Sequence, residues 1–430
     1  MKALALIDGE HYADVVRSAF RETTFDVVGA VMLGGTEKLR GGDEYGVQLF
    51  DDLESGLAAT RPEVVLDLSD EPVLDARRRF RVASRVLAAG VPYVGADFRL
   101  DPVEFEPFDV PALAVIGSGK RVGKTAVAGH LARLLSRSRE VVVVAMGRGG
   151  PAEPVVTEAE PTVEDLLALS RDGKHAASDY LEDAALARVV TVGARRCGGG
   201  LAGAPFVSNV ASAARLAASR EPDLVVFEGS GAALPPVQVG ARVLVVAAAQ
   251  DPELVTGYLG AYRLLLSDLV VLTNCEEPLA TRQDVDRLRE AIADVDPDLP
   301  VIVTILRPKP VSSVDGRKVA YFTTAPEAIH ERLRKHLEDE HGADVVLVSG
   351  NLSRREELRK ELDSEEARGA DVFLMELKAA AIDVVAEAAD ESGTQVVLCD
   401  NEVRTAGGGA DLDDRLTALA DALSRQEVPA

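Results

Sequence analysis

Residues 112–135 read ALAVIGSGKRVGKTAVAGHLARLL: an apolar run, a glycine-rich turn with two lysines, and an unbroken amphipathic stretch. A strand, a glycine turn and a helix start in this succession point several backbone N–H groups and a helix N-terminus at one spot, which suits an anion. Side chains larger than glycine would crowd that spot. The pattern is close to the phosphate loop G-x-x-x-x-G-K-[ST]. Gly123, Lys124 and Thr125 supply its end, Ser118 stands where the first glycine is expected, and Gly117 comes one residue earlier. The loop is read as Gly117, Ser118, Gly119, Lys120, Arg121, Val122, Gly123, Lys124, Thr125 and Ala126. Lys124 is expected on the β- and γ-phosphates of a nucleotide, and the Thr125 hydroxyl on Mg2+.

Short β-branched runs alternate with amphipathic stretches on both sides of this loop, the mark of parallel α/β sheets. At 430 residues the chain is too long for one hydrophobic core. Strands are expected at 2–7, 26–32, 63–67 and 91–94, with helices near 11–20 and 75–89. A Pro- and acid-rich linker follows, ending near Val110. A second series has strands at 112–116, 141–145, 224–227, 242–247, 269–273 and 301–305. A third begins near Ala343 with DVVLVSG, DVFLMEL and TQVVLCD. The expected fold is α/β: a P-loop NTPase core with a mostly parallel sheet, flanked by smaller Rossmann-like α/β units at both ends. The domains are placed at 1–109, 110–340 and 341–430.

The formal net charge of -24 argues against a nucleic-acid partner, since a phosphate backbone needs a basic face. No apolar run approaches the roughly 18 residues of a membrane span, and the start MKALALIDGEHY turns acidic too early for a signal peptide. No membrane partner is expected, and a cytoplasmic protein is. Cys197, Cys275 and Cys399 are far apart and read as ordinary thiols.

Against this acidic background, cationic glycine loops stand out as anion sites. MGRGGP presents Arg148 at the end of a strand beside the phosphate loop, where a fork of donors can meet a phosphate or carboxylate. GARRCGGGLAG is read as a flexible loop in which Arg195 and Arg196, with Gly198, Gly199 and Gly200, fold around a second anion. PDLVVFEGSG is an apolar strand ending in Glu228, placed to hold the Mg2+ that Thr125 also meets. ASDYLEDAALA carries Asp179, Glu182 and Asp183, acids that an exposed helix face also accommodates. His11, at a strand tip, is given no role in proton transfer. Adenine is expected near Asn274, capped by a loop at LRPKP.

The nine residues GSGKRVGKT resemble the loop of dethiobiotin synthetase, and FEGSG and SDYLEDA resemble further motifs of that enzyme; the last implies Asp179 as a third metal-ligand candidate, with Glu182 and Asp183 as competitors. Partitioning ATPases of the class carry a lysine where Gly119 stands, and TNCE is a poor version of the guanine-reading N-K-x-D. Taken together, LIDGEHY, GSGKRVGKTAVAGHLARLL, MGRGGP, SDYLEDA, RRCGGGLAG, FEGSGAALPPV, TNCEEP and ELKAAAIDV resemble the cyclic 2,3-diphosphoglycerate synthetase family over nearly the whole chain. The resemblance implies that ATP and Mg2+ drive ring closure of a small phosphorylated substrate, 2,3-diphosphoglycerate, with 2-phosphoglycerate kinase activity as a possible accompaniment. It implies Lys124, Lys120 and Arg148 as catalytic groups; a homodimer is expected from the habit of α/β enzymes. Two other readings stay open: a ring-closing ligase of dethiobiotin synthetase type and a P-loop nucleotide switch. Stimulation of ATPase activity by 2,3-diphosphoglycerate, by neither ligand nor macromolecule, or by a macromolecule separates the three.

Overall fold

The computed structural model describes residues 1–35, 38–39, 44–158, 160–172, 178–378, 381–406 and 411–425. They form two compact units. The first comprises Met1–Glu104 with Asp251–Leu266 and Ala291–Pro297, and the second comprises Phe105–Gln250, Ser267–Glu290 and Asp298–Ala430.

The first unit contains strands β1 (Lys2–Ile7), β2 (Asp26–Met32), β3 (Leu49–Phe50), β4 (Val64–Asp67), β5 (Tyr93–Val94) and β6 (Arg99–Leu100), ordered β3-β2-β1-β4-β5-β6. All neighbours are parallel except β5 and β6. Helices α1 (Ala13–Glu22), α2 (Leu53–Thr60) and α3 (Ala76–Ala88) connect the strands. The sequence reading found the four longer or central strands and two of the helices. It missed β3, β6 and α2: β3 and β6 are two residues each with no apolar run like VPYV around them, and α2 is interrupted by Gly56. The excursion at 251–266 packs on α3, where Phe80 meets Tyr258 edge-to-face at 5.8 Å and Arg77 pairs with Glu253 at 2.9 Å.

The second unit holds β7 (Ala112–Gly117), helix α4 (Lys124–Leu135), β8 (Val141–Gly147), β9 (Val155–Thr157), β10 (Val190–Cys197), β11 (Val207–Ser208), β12 (Leu224–Glu228), β13 (Ala241–Ala247) and β14 (Leu269–Thr273). It continues with β15 (Val301–Pro310), β16 (Lys318–Phe322), β17 (Asp344–Ser349), β18 (Val372–Glu376) and β19 (Gln395–Thr405). One sheet runs β11-β10-β8-β12-β7-β13-β14-β15-β19-β18-β16-β17, with β9 also on β10. The central strands are parallel and buried on both faces, which is why they read as continuous apolar runs. Their valines and leucines close over Val127, Leu131 and Leu135 of α4 and over Leu416 and Leu423 of the helix Leu412–Arg425.

β15 decides where the site lies. Its residues 301–303 pair in parallel with β14, and 304–310 pair antiparallel with β19. Beyond β19 the strands are again parallel to one another. The C-terminal strands therefore run back against the core strands, and the carboxyl ends of β16 and β18 face the same cavity as those of β7 and β8. LRPKP, expected as a loop, is strand. Pro308 and Pro310 lie where β15 has a neighbour on one side only, so their missing N–H groups cost no ladder bond on the other.

Candidate active site

The phosphate loop leaves β7 with Ser118 held by the Val245 carbonyl at 3.0 Å and re-enters helix α4 through Gly123. Gly123 has φ +83, and a Cβ there would stand 3.2 Å from Thr273 Cγ2, so the turn needs glycine on both counts. Lys124 and Thr125 open the helix. Lys124 Nζ and Thr125 Oγ1 both donate to Glu228 Oε1, each at 2.8 Å. Glu228 ends β12, next to β7, and is fully buried, while Lys124 is 9% exposed. Burial opposes the lysine's charge, but Glu228, Asp179 and Asp183 outweigh it and hold the ammonium above its ordinary pKa.

An acidic ring surrounds this pair. Asp179 and Glu182 lie on the short helix Asp179–Glu182, which runs into a π-helical turn at Asp183–Ala187. Asp179 lines the cavity beside Gly147, with Oδ2 3.8 Å from where a Cβ on that glycine would sit. Burial pushes the Glu182 carboxyl up to about 8, with Asp179, Glu228 and Glu376 adding to the effect and Lys378 opposing it. Asp183 is raised well above the ordinary range by burial and by Glu228. Among the described residues, Glu228 Oε2 and Asp183 Oδ2 are buried oxygens without a hydrogen-bond partner. Among the same residues, no group of three or more His, Cys, Asp or Glu is arranged to close around a metal ion.

Two guanidinium groups and the stem of Lys120 meet at Gly231, next to the loop. A Cβ on this glycine would stand 2.9 Å from Arg148 Nη2, 3.6 Å from Arg196 Nη2 and 3.8 Å from Lys120 Cγ. Arg196 donates to the Gly198 carbonyl at 2.7 Å and to the Ser230 carbonyl at 2.8 Å. Its pKa is lowered, first by burial and then by Arg148. No carboxylate among the described residues pairs with Lys120, Arg148 or Arg196. In a chain of charge -24 that is an arrangement built for an anion.

Arg195 and Arg196 are not on a flexible loop. They close strand β10, which pairs with β8 as far as Arg195 opposite Gly147, and the glycines begin only after Cys197. The β-branched run VVTV belonged to a strand that the glycine triplet concealed. Strand alternation sends the two arginines to opposite faces. Arg196 reaches the Gly231 cluster, and Arg195 is exposed, its backbone N–H donating to Asn209 Oδ1 at 2.7 Å. Gly198, Gly199 and Gly200 form an exposed turn just beyond.

The cavity, of about 820 Å3, extends from the loop past Asn274 to the C-terminal strands. Asn274 lines it with a left-handed backbone, φ +57. Leu279, Leu306, Ile329 and Leu333 make an apolar wall, and Glu276 is fixed there by Arg307 and Arg332, each at 2.8 Å. Thr324, Glu376, Lys378 and Asn401 line another part. None of these C-terminal residues was singled out in the sequence except as letters of ELKAAAIDV, whose Ala379 and Ala380 fall outside the described residues.

A parallel sheet with a glycine loop at one strand end, a lysine and threonine opening the next helix, and a buried acid on the adjacent strand define a P-loop NTPase core that binds nucleotide. Family models for cyclic 2,3-diphosphoglycerate synthetase match the chain in three parts: the N-terminal domain at residues 2–101, the P-loop domain at 112–305 and the C-terminal domain at 310–402. The chain is 52% identical to the cyclic 2,3-diphosphoglycerate synthetase of Rubrobacter xylanophilus, covering 99% of this chain and 98% of that one. It is 43% identical to that of Methanothermus fervidus, covering 93% and 92%. The chain belongs to the cyclic 2,3-diphosphoglycerate synthetase family and is an enzyme of the synthetase kind. Among solved structures it is similar to LpxK from Aquifex aeolicus in complex with ATP, at 14% identity and a TM-score of 0.41, over 74% of this chain and 90% of that one. No helix among the described residues is long and apolar enough to cross a membrane.

Proposed function

We propose that this enzyme closes 2,3-diphosphoglycerate into cyclic 2,3-diphosphoglycerate at the expense of ATP, releasing ADP and phosphate. The observation that carries the reading is the unneutralised Lys120–Arg148–Arg196 cluster beside a phosphate loop. A nucleotide alone would need only the loop; a second polyanion needs more cations.

The chemistry follows from the charges. An oxygen of one substrate phosphate attacks the γ-phosphorus of ATP, and the β–γ bridging bond breaks to release ADP. An oxygen of the other substrate phosphate then attacks the phosphorus that carries the new group. The bond to the transferred phosphoryl group breaks, inorganic phosphate leaves, and the P–O–P ring closes. Both nucleophiles are already anions, so no general base is required; what the protein must do is hold mutually repelling phosphates together. Lys120, Arg148 and Arg196 serve that end, with Arg195 on the same strand as Arg196 and Gly198–Gly200 just beyond it as further candidates. Lys124 neutralises charge developing on the transferring group.

Mg2+ fits the residues present. Thr125, Glu228 with its unpartnered Oε2, and Asp179 are the oxygens proposed to hold it, with Glu182 and Asp183 as alternatives to Asp179. When bound it supplies charge stabilisation to the phosphates. Adenine is assigned to the apolar wall beside Asn274. A homodimer working in the cytoplasm and a 2-phosphoglycerate kinase side activity complete the proposal.

A phosphorus NMR assay with ATP, Mg2+ and 2,3-diphosphoglycerate tests it. A cyclic pyrophosphate signal growing with ADP is expected. ADP formation without that signal would refute the reading.

A further inference from the structure

Lys378 stands just beyond the carboxyl end of β18, on the cavity wall built by the C-terminal strands, far in sequence from the phosphate loop. Its side chain is 33% exposed. Two of the three carboxylates around it are engaged elsewhere, and the third, Glu182, is its distant ion-pair partner. Glu376 accepts on Oε2 from the Thr324 N–H and hydroxyl, both at 2.9 Å, and on Oε1 from Asn401 at 3.0 Å. Asp400 pairs with Arg133 at 2.6 Å. Glu182 Oε1 is 4.0 Å from the Lys378 ammonium, beyond hydrogen-bond reach.

Among the described residues, then, the three N–H donors of Lys378 meet no acceptor, although Glu376, Glu182 and Asp400 together hold its charge firmly in place. A lysine serving only to neutralise a neighbour would touch it. This one lines a cavity whose other cations, Lys120, Arg121, Lys124 and Arg148, belong to the phosphate loop, the start of α4 and the end of β8. Glu182, 4.0 Å from Lys378, shares a short helix with Asp179, which lines the same cavity.

We propose that Lys378 forms a second anion subsite, contributed by the C-terminal strands, that grips a phosphate group of the acceptor while the Lys120–Arg148–Arg196 cluster holds the rest of it. The inference rests on the proposed reaction. Its physical sense is that a diphosphorylated acceptor must be held at both ends for one phosphate to reach the other. A compact ammonium with three rotatable donors suits a phosphate whose orientation changes as the ring closes.

The test uses the full chain and two variants, Lys378→Met and Lys378→Arg, with calorimetric titration of 2,3-diphosphoglycerate and, separately, of ATP, and a thermal melt of each protein. Loss of one charge-assisted contact predicts a dissociation constant for 2,3-diphosphoglycerate raised roughly 10- to 100-fold in Lys378→Met. ATP affinity should be unchanged, and Lys378→Arg should recover part of the loss. Unaltered diphosphoglycerate affinity in Lys378→Met overturns the subsite, as does a lowered melt with both ligands weakened, which would make the lysine a support of the fold. A wild-type chain without affinity for 2,3-diphosphoglycerate overturns the functional reading and this subsite with it.

Discussion

Lys124→Met separates what the loop lysine does for the fold from what it does for the nucleotide. The methionine keeps the length of the stem and removes the charge. Glu228 is fully buried, and Lys124 at 2.8 Å is the cation its carboxylate meets; Thr125 supplies one hydroxyl and Oε2 has no partner among the described residues. Stripping the cation from a buried pair costs about 3–5 kcal/mol, because the remaining charge stays desolvated. For a unit of this size each kcal/mol moves the melting temperature by roughly 2 °C, so the shift should be about 6–10 °C downward. Glu228→Gln should melt low for the complementary reason. The double variant Lys124→Met/Glu228→Gln should regain most of the loss, since neither charge is left behind. All three should be without turnover. Scanning calorimetry beside a coupled ADP assay measures both quantities. If Lys124→Met melts with the wild type, or if the double variant loses the sum of the two single losses, the buried pair is not the support described here.

Three further outcomes are expected. Arg196→Ala should lower kcat/KM for 2,3-diphosphoglycerate by roughly 30- to 1,000-fold at unchanged ATP affinity, with Arg195→Ala milder because its side chain leaves the other face of β10; weak ATP binding with a normal diphosphoglycerate KM in both would assign the strand end to the nucleotide. Leu333→Asp should weaken ATP binding and spare 2,3-diphosphoglycerate, and GTP should compete poorly with ATP; equal affinities for the two nucleotides would remove adenine from the Asn274 wall. Because the Glu182 carboxyl is raised to about 8 by burial, charging it opposes folding as pH climbs from the unfolded value towards 8, and the penalty is complete above that. Glu182→Gln should therefore melt higher than wild type at pH about 9 and equal to it near pH about 5, and a pH-independent difference would contradict the assignment.

The phosphate loop was legible because everything that makes it is contiguous: an apolar strand, a glycine turn and a helix opened by Lys124 and Thr125. Glu228 was legible for a related reason, as an acid ending an apolar strand of the length a buried core strand has. The doubly buried strands of both units announced themselves by composition. The sequence by itself thus determined the fold class, the loop and the acid that faces it.

What it left undetermined depends on which strands become neighbours. Lys120, Arg148 and Arg196 converge on Gly231 because β8 lies between β12 and β10, an order that local periodicity does not carry. Arg195 and Arg196 differ in reach only once β10 is known to be a strand, since the pleat then turns neighbouring side chains apart. The excursion at 251–266 joins the first unit through contacts with residues some 170 positions away, such as the Ser84 hydroxyl on the Tyr258 carbonyl. Lys378 and Glu376 enter the cavity only because the antiparallel pairing of β15 with β19 turns the C-terminal strands back on the core. Each of these is a long-range contact, whose closure is decided by tertiary packing and not by the residues on either side of it in the chain.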